Sequence, residues 1–302
     1  MNKIIRTIKH PGKILLKLDN LNLIRLSDKF FIKLRFKIIM GYKLNLSEPK
    51  TFNEKLNWLK LYDRRDIYTI MVDKYMVKKY ISNKIGDEYI IPTIGIYDNF
   101  DDINFDLLPQ RFVMKCTHDS GGIVIVEDKD KLDKMQARNK LEESLKNNYY
   151  YAGREWPYKN VKPRIIIENY MIDDELGELR DYKFFCFNGI VKTFKIDFDR
   201  YTNHGANYYD SNGKLLDLGE VVCPPNLNKK IDMPRNLSKM IELAEILSKD
   251  IPFLRVDFYE INGKIYFGEL TFFPASGVGK FIDDKWDNIL GEWLSLNKLD
   301  NN

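Results

Sequence analysis

The segment FLRVDFYEINGKIYFGELTFFP (253–274) reads as a β-hairpin, yet it sets Arg255, Asp257 and Glu269 among bulky apolar residues. Strand side chains alternate with a period of two, so turn length decides whether these charges share a face. A two-residue Asn262-Gly263 turn would pair 257 with 268 and send Glu269 to the other side. A three-residue loop, Ile261-Asn262-Gly263 with Gly263 left-handed, keeps the odd positions together and is the expected geometry. Glu269 then stands opposite Arg255 and diagonal to Asp257, ~7 to 8 Å away between backbones, a gap that long side chains close. Two carboxylates converging without a neighbouring His or Cys make a hard oxygen site suited to Mg²⁺, which completes its shell with water and substrate phosphates. An Arg255 salt bridge to both acids would satisfy the same residues with no metal, so the hairpin alone leaves both readings open.

Other charged positions bear on that choice. MKCTHDSGG places Lys115 near a strand end before a loop in which Gly121 and Gly122 permit close approach, so backbone N–H groups can cover phosphate oxygens while Lys115 supplies a point charge. A plain hairpin turn is the alternative. His118 and Ser120 lie in the same loop, and His118 is expected to touch phosphate. The chain has no G-x-x-x-x-G-K-[ST]; SGVGKF (276–281) lacks the first Gly and the closing Ser/Thr. In DYKFF, Asp181 and Lys183 face one side of an otherwise apolar strand, either as a local pair or with the lysine aimed at a phosphate. Glu168 follows three isoleucines in RIIIENYM and either accepts hydrogen bonds from a ribose or base or caps its strand.

The elements that must hold these residues can be read from periodicity and caps. Thr51 with Glu54 forms a capping box that opens a helix carrying Phe52, Leu56 and Leu59. One helix is expected over about 67–83, ending near Gly86, followed by the β-branched YIIPTIGIY. From residue 111 onward the text alternates strand, glycine loop and strand, with KLDKMQARNKLEESLKNNYY and LSKMIELAEILSK as helices. Strands arriving as hairpins among helices predict an α+β protein with antiparallel sheets rather than a doubly wound parallel sheet.

Composition bounds the function class. With 302 residues, 30% charged and 44% hydrophobic, the chain suits a soluble enzyme with a substantial core, and no apolar run approaches a membrane span. The opening MNKIIRTIKHPGKILLK is interrupted by Arg6, Lys9 and Pro11, which speaks against a secretory signal. Cys116, Cys186 and Cys223 are far apart in sequence; together these features lead us to expect a cytoplasmic protein. Residues 1–43 hold eleven Lys or Arg against Asp19 and Asp28, read first as a solvated face and second as a membrane-surface or polyanion contact. No basic stripe interleaved with aromatics follows residue 43, so nucleic-acid binding is not expected.

Six blocks in order resemble one family: SEPKTFNEKLNWLKLYD, DKYMVKKYI, LPQRFVMKCTHDSGG, REWPYKNVKPRIIIENYM, DYKFFCFNG and FLRVDFYEINGKIYFGELTFFPASG. They look like the teichuronopeptide-biosynthesis, or TupA-like, branch of the ATP-grasp ligases, with likeness from about Ser27 to Leu296. The resemblance implies a helical N-terminal segment (1–65), the start of the ATP-grasp core (66–105), a nucleotide-lid subdomain (106–170) and a C-terminal subdomain with the metal site (171–302). It implies ATP held between two antiparallel sheets, Lys74 and Lys115 on its phosphates, the Thr117–Gly122 loop closing over them, and Glu168 in a hinge strand by adenine and ribose. Asp257 and Glu269 would hold Mg²⁺, with Thr271 standing where many relatives have Asn. The implied chemistry activates a carboxylate as an acyl phosphate, steadied by Arg255 and Lys183, for attack by an amine.

Arg154, Tyr158, Lys159, Arg200 and His204 are candidates for binding an acidic sugar or amino acid. TupA-like proteins are associated with cell-surface polymers, which points to capsule or envelope assembly. Two rivals are a glycosyltransferase using DFD (197–199) or DKD (128–130) as its metal site, and a non-catalytic scaffold.

Overall fold

Strand-rich stretches separate into two antiparallel sheets in the structure, a computed structural model describing residues 11–173, 179–199 and 203–296. The smaller sheet contains β1 (Thr93–Tyr97), β2 (Phe112–Cys116), β3 (Ile123–Val126) and β4 (Ile165–Asn169), ordered β1-β4-β2-β3. The larger contains β5 (Asp181–Phe187), β6 (Ile190–Phe198), β7 (Gly205–Asp210), β8 (Phe253–Ile261) and β9 (Lys264–Thr271), ordered β7-β6-β5-β8-β9. Every neighbouring pair is antiparallel, as the hairpin-rich sequence predicts.

The helices are α1 (Pro11–Asn20), α2 (Asp28–Met40), α3 (Phe52–Tyr62), α4 (Asp66–Val72), α5 (Met76–Ile85), α6 (Lys134–Leu145), the short α7 (Tyr150–Gly153), α8 (Leu237–Ser248) and α9 (Lys285–Trp293). The Thr51–Glu54 capping box is formed at the start of α3. Met240, Leu243, Ala244 and Leu247 of α8 join the main core with β5, β6 and β8. A second core, including Leu141 of α6, Phe112 and Ile167, backs the smaller sheet.

Two local expectations are corrected. The helix expected over 67–83 is broken at residues 73–75 into α4 and α5. Asp73 causes the break: its Oδ1 accepts from the N–H groups of Tyr75 (2.8 Å) and Met76 (3.1 Å), capping α5, while Oδ2 takes Arg164 at 2.9 Å. The break holds Lys74 beside the glycine loop, where its N–H donates to the Thr117 carbonyl at 3.1 Å.

The second correction concerns the hairpin. Its turn has two residues, Asn262 (φ 51°) and Gly263 (φ 75°), and Ile261 pairs with Lys264. That turn alone would place Glu269 on the wrong face, but the register shifts between Asp257 and Phe258, opposite the extra residue Gly268, so that Asp257 faces Glu269 and Arg255 faces Thr271. The odd positions share a face through a bulge rather than a three-residue loop.

Candidate active site

A cavity of about 410 Å³ has walls drawn from both sheets, the α4–α5 junction and the glycine loop. Lys74, Lys78, Lys115 and Glu168 line it from one side, Asp181, Lys183, Gly268 and Glu269 from the other, and Asp119, Ser120 and Gly122 come from the loop. Met71, Ile90, Tyr259, Phe267 and Leu270 add an apolar lining. The volume lies in the range of small-molecule sites, and the mixture suits a ligand with one flat apolar end and one highly charged end.

On the smaller sheet, Lys115 pairs in register with Ile166 and Glu168 with Val113, so Lys115 and Glu168 are diagonal neighbours on one face. Lys115 Nζ lies 2.7 Å from Glu168 Oε2, and Lys78 binds the other oxygen. Burial pushes the Glu168 carboxyl up, but Lys115 and Lys78 outweigh it and hold it below the usual carboxylate range. Lys78 has no assigned role in the sequence reading; its signal was its place in DKYMVKKYI four residues after Lys74, one helical turn along. Lys74 Nζ donates to the Cys116 carbonyl at 3.1 Å and to that of Asp119. Burial lowers the Lys74 ammonium, partly offset by Asp119.

The loop is packed as well as poised. Asp119 folds back to accept from Gly122 N–H with both oxygens at 3.1 Å and from the Ser144 hydroxyl. A Cβ on Gly122 would collide with Cys116 Cβ at 2.8 Å and with Ser144, whereas one on Gly121 would meet nothing within 4 Å. Ser120 Oγ donates to the Tyr149 hydroxyl at 3.3 Å. His118 does not line the cavity: its Nε2 meets the carbonyls of Ser144 (3.1 Å) and Asn147 (3.0 Å) at the end of α6, a packing contact in place of the cavity position expected for it.

The larger sheet carries a row of alternating charge. Lys183, on central β5, faces Asp257 in register and lies 3.2 Å from Asp181, 3.3 Å from Asp197 and 3.5 Å from Asp257. Burial would lower its ammonium, but Asp257, Asp181 and Asp197 together raise it, so Lys183 stays charged. Arg255 grips Asp257 through Nε (2.7 Å) and Nη2 (2.8 Å) and reaches Glu269 at 2.6 Å. Burial opposes the charge on Arg255, and Asp257 and Glu269 raise its pKa despite that. Asp257 is 1% exposed, whereas the Glu269 side chain keeps 50% of its surface and takes the Thr271 hydroxyl at 3.2 Å. The donors present, two carboxylates facing across a register pair and a hydroxyl beside them, fit a hard dication in kind.

The residues proposed for an acceptor pocket scatter. Tyr158 lines the cavity and stacks edge-on with Tyr149, ring centres 4.8 Å apart. Lys159 is exposed, with its ammonium 5.4 Å from the Tyr150 ring centre. Arg154, only 1% exposed, is corrected to an internal anchor: it meets Asp19 at 2.5 Å and sits over Phe31 at 4.2 Å. Arg200 lies outside the described residues. His204 Nε2 is 3.6 Å from Asp197, and these two with Cys223 bring their ligand atoms within 4.8 Å of one another. Asp199 points elsewhere, to Lys229 at 2.5 Å, so the two acids of DFD serve different lysines. In DKD, Asp128 accepts from Asp130 N–H at 3.1 Å and pairs with Lys131 at 2.9 Å, a capping role.

Two antiparallel sheets gripping one cation-lined cavity is the architecture of ATP-grasp proteins. The chain belongs to the TupA-like ATP-grasp family, which it matches over residues 54–295. Solved structures similar to it include D-alanine–D-alanine ligase from Bacillus anthracis complexed with ATP, at 20% identity, covering 67% of this chain and 53% of that one, TM-score 0.39. D-alanine–D-alanine ligase from Helicobacter pylori matches at 17% identity, covering 81% of this chain and 69% of that one, TM-score 0.44. N5-carboxyaminoimidazole synthetase from Staphylococcus aureus matches at 13% identity, 67% and 44% coverage, TM-score 0.40. The chain thus spans about half of the first of these, 53%, and no residue role is carried over from them. No curated protein sequence matches the chain.

Proposed function

We propose that this protein is an ATP- and Mg²⁺-dependent carboxylate–amine ligase that joins an amino acid or other amine to a uronic or acidic group during assembly of a cell-surface polysaccharide. The observation that carries this reading is the convergence of Lys74, Lys78, Lys115 and Lys183, from three separate stretches of the chain, on one cavity whose wall also contains Glu269. Four cations in one cleft match a triphosphate better than any neutral ligand. The membership in the TupA-like family supports the same activity.

In this reading Lys74, Lys78 and Lys115 bind the phosphates, with Ser120, Gly121 and Gly122 closing over them. Glu168, now held by two lysines, faces the ribose and base end once phosphate oxygens take over those cations. Asp257, Glu269 and Thr271 would hold the metal, which when bound supplies neutralisation of the terminal phosphates. Arg255, released from the two acids, turns its guanidinium to the substrate carboxylate, and Lys183, kept charged by Asp257, Asp181 and Asp197, faces the transferred phosphoryl group. A carboxylate oxygen attacks the γ-phosphorus, the bond to the β-phosphate oxygen breaks and ADP leaves. The amine nitrogen then attacks the acyl carbon, the carbon–oxygen bond to phosphate breaks, and an amide, phosphate and a proton are released. Tyr158 lines the substrate end, and His204 and Lys159 lie beyond the cavity wall.

The test is thermal shift followed by ADP release. With Mg²⁺, ATP at a hundredfold excess over its Kd should add about 2.7 kcal/mol, a rise of several degrees, while UDP-sugars should give none. Lys115→Ala should lose the ATP shift. A shift selective for UDP-sugars would replace this reading with the glycosyltransferase. A panel of amino acids and uronic acids screened for ADP release then identifies the carboxylate and amine.

A further inference from the structure

Among residues 11–43 the structure shows where both acids go. Asp19 is buried against Arg154 at 2.5 Å, and Asp28 is shared by Tyr150 (2.5 Å) and Arg64 (2.8 Å). Neither remains to offset the surface. Arg25 and Arg35 are engaged too, over the Tyr151 ring at 3.9 Å and on the Ser276 carbonyl at 3.2 Å. Lys13, Lys17, Lys29, Lys33, Lys37 and Lys43 stay exposed, and none makes an ion pair with a described residue.

Lys29, Lys33 and Lys37 follow one another at four-residue intervals along α2, as Lys13 and Lys17 do on α1. Like charges at that spacing are neighbours on a helix and destabilise it, so a merely solvated face gains nothing from the pattern. The same two elements expose apolar side chains that the core does not need: Phe30 of α2 is 49% exposed, and Leu21 and Leu23 of the α1–α2 loop are 56% and 68% exposed. The opposite side of α2 buries Phe31, Ile32 and Phe36, so the helix holds its place while presenting this face. A dissolved polyanion would satisfy the lysines but offer no apolar phase for Phe30, Leu21 and Leu23. An anionic bilayer surface satisfies both. The rest of the chain carries more acid than base, which orients this end toward such a surface.

We propose that α2 and the α1–α2 loop dock the protein peripherally on an anionic lipid bilayer. The proposal does not depend on the ligase reading. The test is co-sedimentation of the full chain with vesicles of phosphatidylglycerol and phosphatidylcholine, against phosphatidylcholine alone. Binding should require the anionic lipid and weaken between about 0.1 and about 0.5 M NaCl. Lys29→Glu/Lys33→Glu/Lys37→Glu should lower vesicle binding about tenfold or more, with the milder Gln triple variant intermediate. Leu23→Ser/Phe30→Ser should lower vesicle binding about fivefold yet leave retention on dextran sulfate unchanged. Equal sedimentation with both vesicle types, indifference to the lysine variants, or indifference to Leu23→Ser/Phe30→Ser would each overturn it, the last in favour of a soluble polyanion.

Discussion

Arg255 occupies both carboxylates that a metal would need, and its own charge is locked in by them. The counter-charge is held internally, so in the proposed reading a metal would have to take these carboxylates from the guanidinium rather than find them bare. Asp257→Asn should lower turnover about a hundredfold or more while leaving ATP affinity without Mg²⁺ within about threefold, checked by ADP release and titration calorimetry. Glu168→Gln leaves Lys78 and Lys115 facing each other and should cost on the order of 3 kcal/mol at neutral pH, the low end for a broken buried pair because both lysines retain some solvent. The Glu168 carboxyl is held below its ordinary 4.5, so the unfolded chain takes up its proton first. Its contribution is full above about pH 4.5 and is lost as pH falls through the lower, folded value. The melting-temperature gap between wild type and Glu168→Gln should accordingly narrow as pH is lowered through that range.

Elements set what could be read in advance. The antiparallel sheets, the capped α3 and the strands bearing Lys115, Glu168 and Lys183 follow from period and caps, because local pattern and tertiary demand agree there. The hairpin shows the limit: side-chain parity identified the charged face, but two turn lengths remained possible, and a bulge at Gly268 leaves no sequence signal beyond a glycine. The α4–α5 break was equally hidden, since Asp73 reads as an ordinary helix-surface residue until its carboxylate is seen capping Tyr75 and Met76. Arg154 and His118 looked available because exposure follows from packing partners more than a hundred and some twenty-five residues away, in Asp19 and Ser144. At this scale the glycine loop makes a sharp contrast. Gly122→Ala must displace Cys116 and Ser144 and should cost about 2 kcal/mol in denaturant unfolding, whereas Gly121→Ala should leave stability within about 0.5 kcal/mol.

At the scale of the whole molecule, the helices before α3 are tied to the body by charge as well as by their apolar cluster. Arg154→Leu would strand Asp19 in the interior and should cost about 3 to 5 kcal/mol, and adding Asp19→Leu should restore much of it, measured by urea unfolding of both variants. The match to the family covers residues 54–295, yet the guanidinium that needs Asp19 sits at residue 154, well inside the matched stretch. A polypeptide trimmed to the shared region would therefore be born with a naked cation where oil should be. Recombinant production and any functional dissection of this protein will depend on keeping those first turns attached, even in experiments that ask nothing about them.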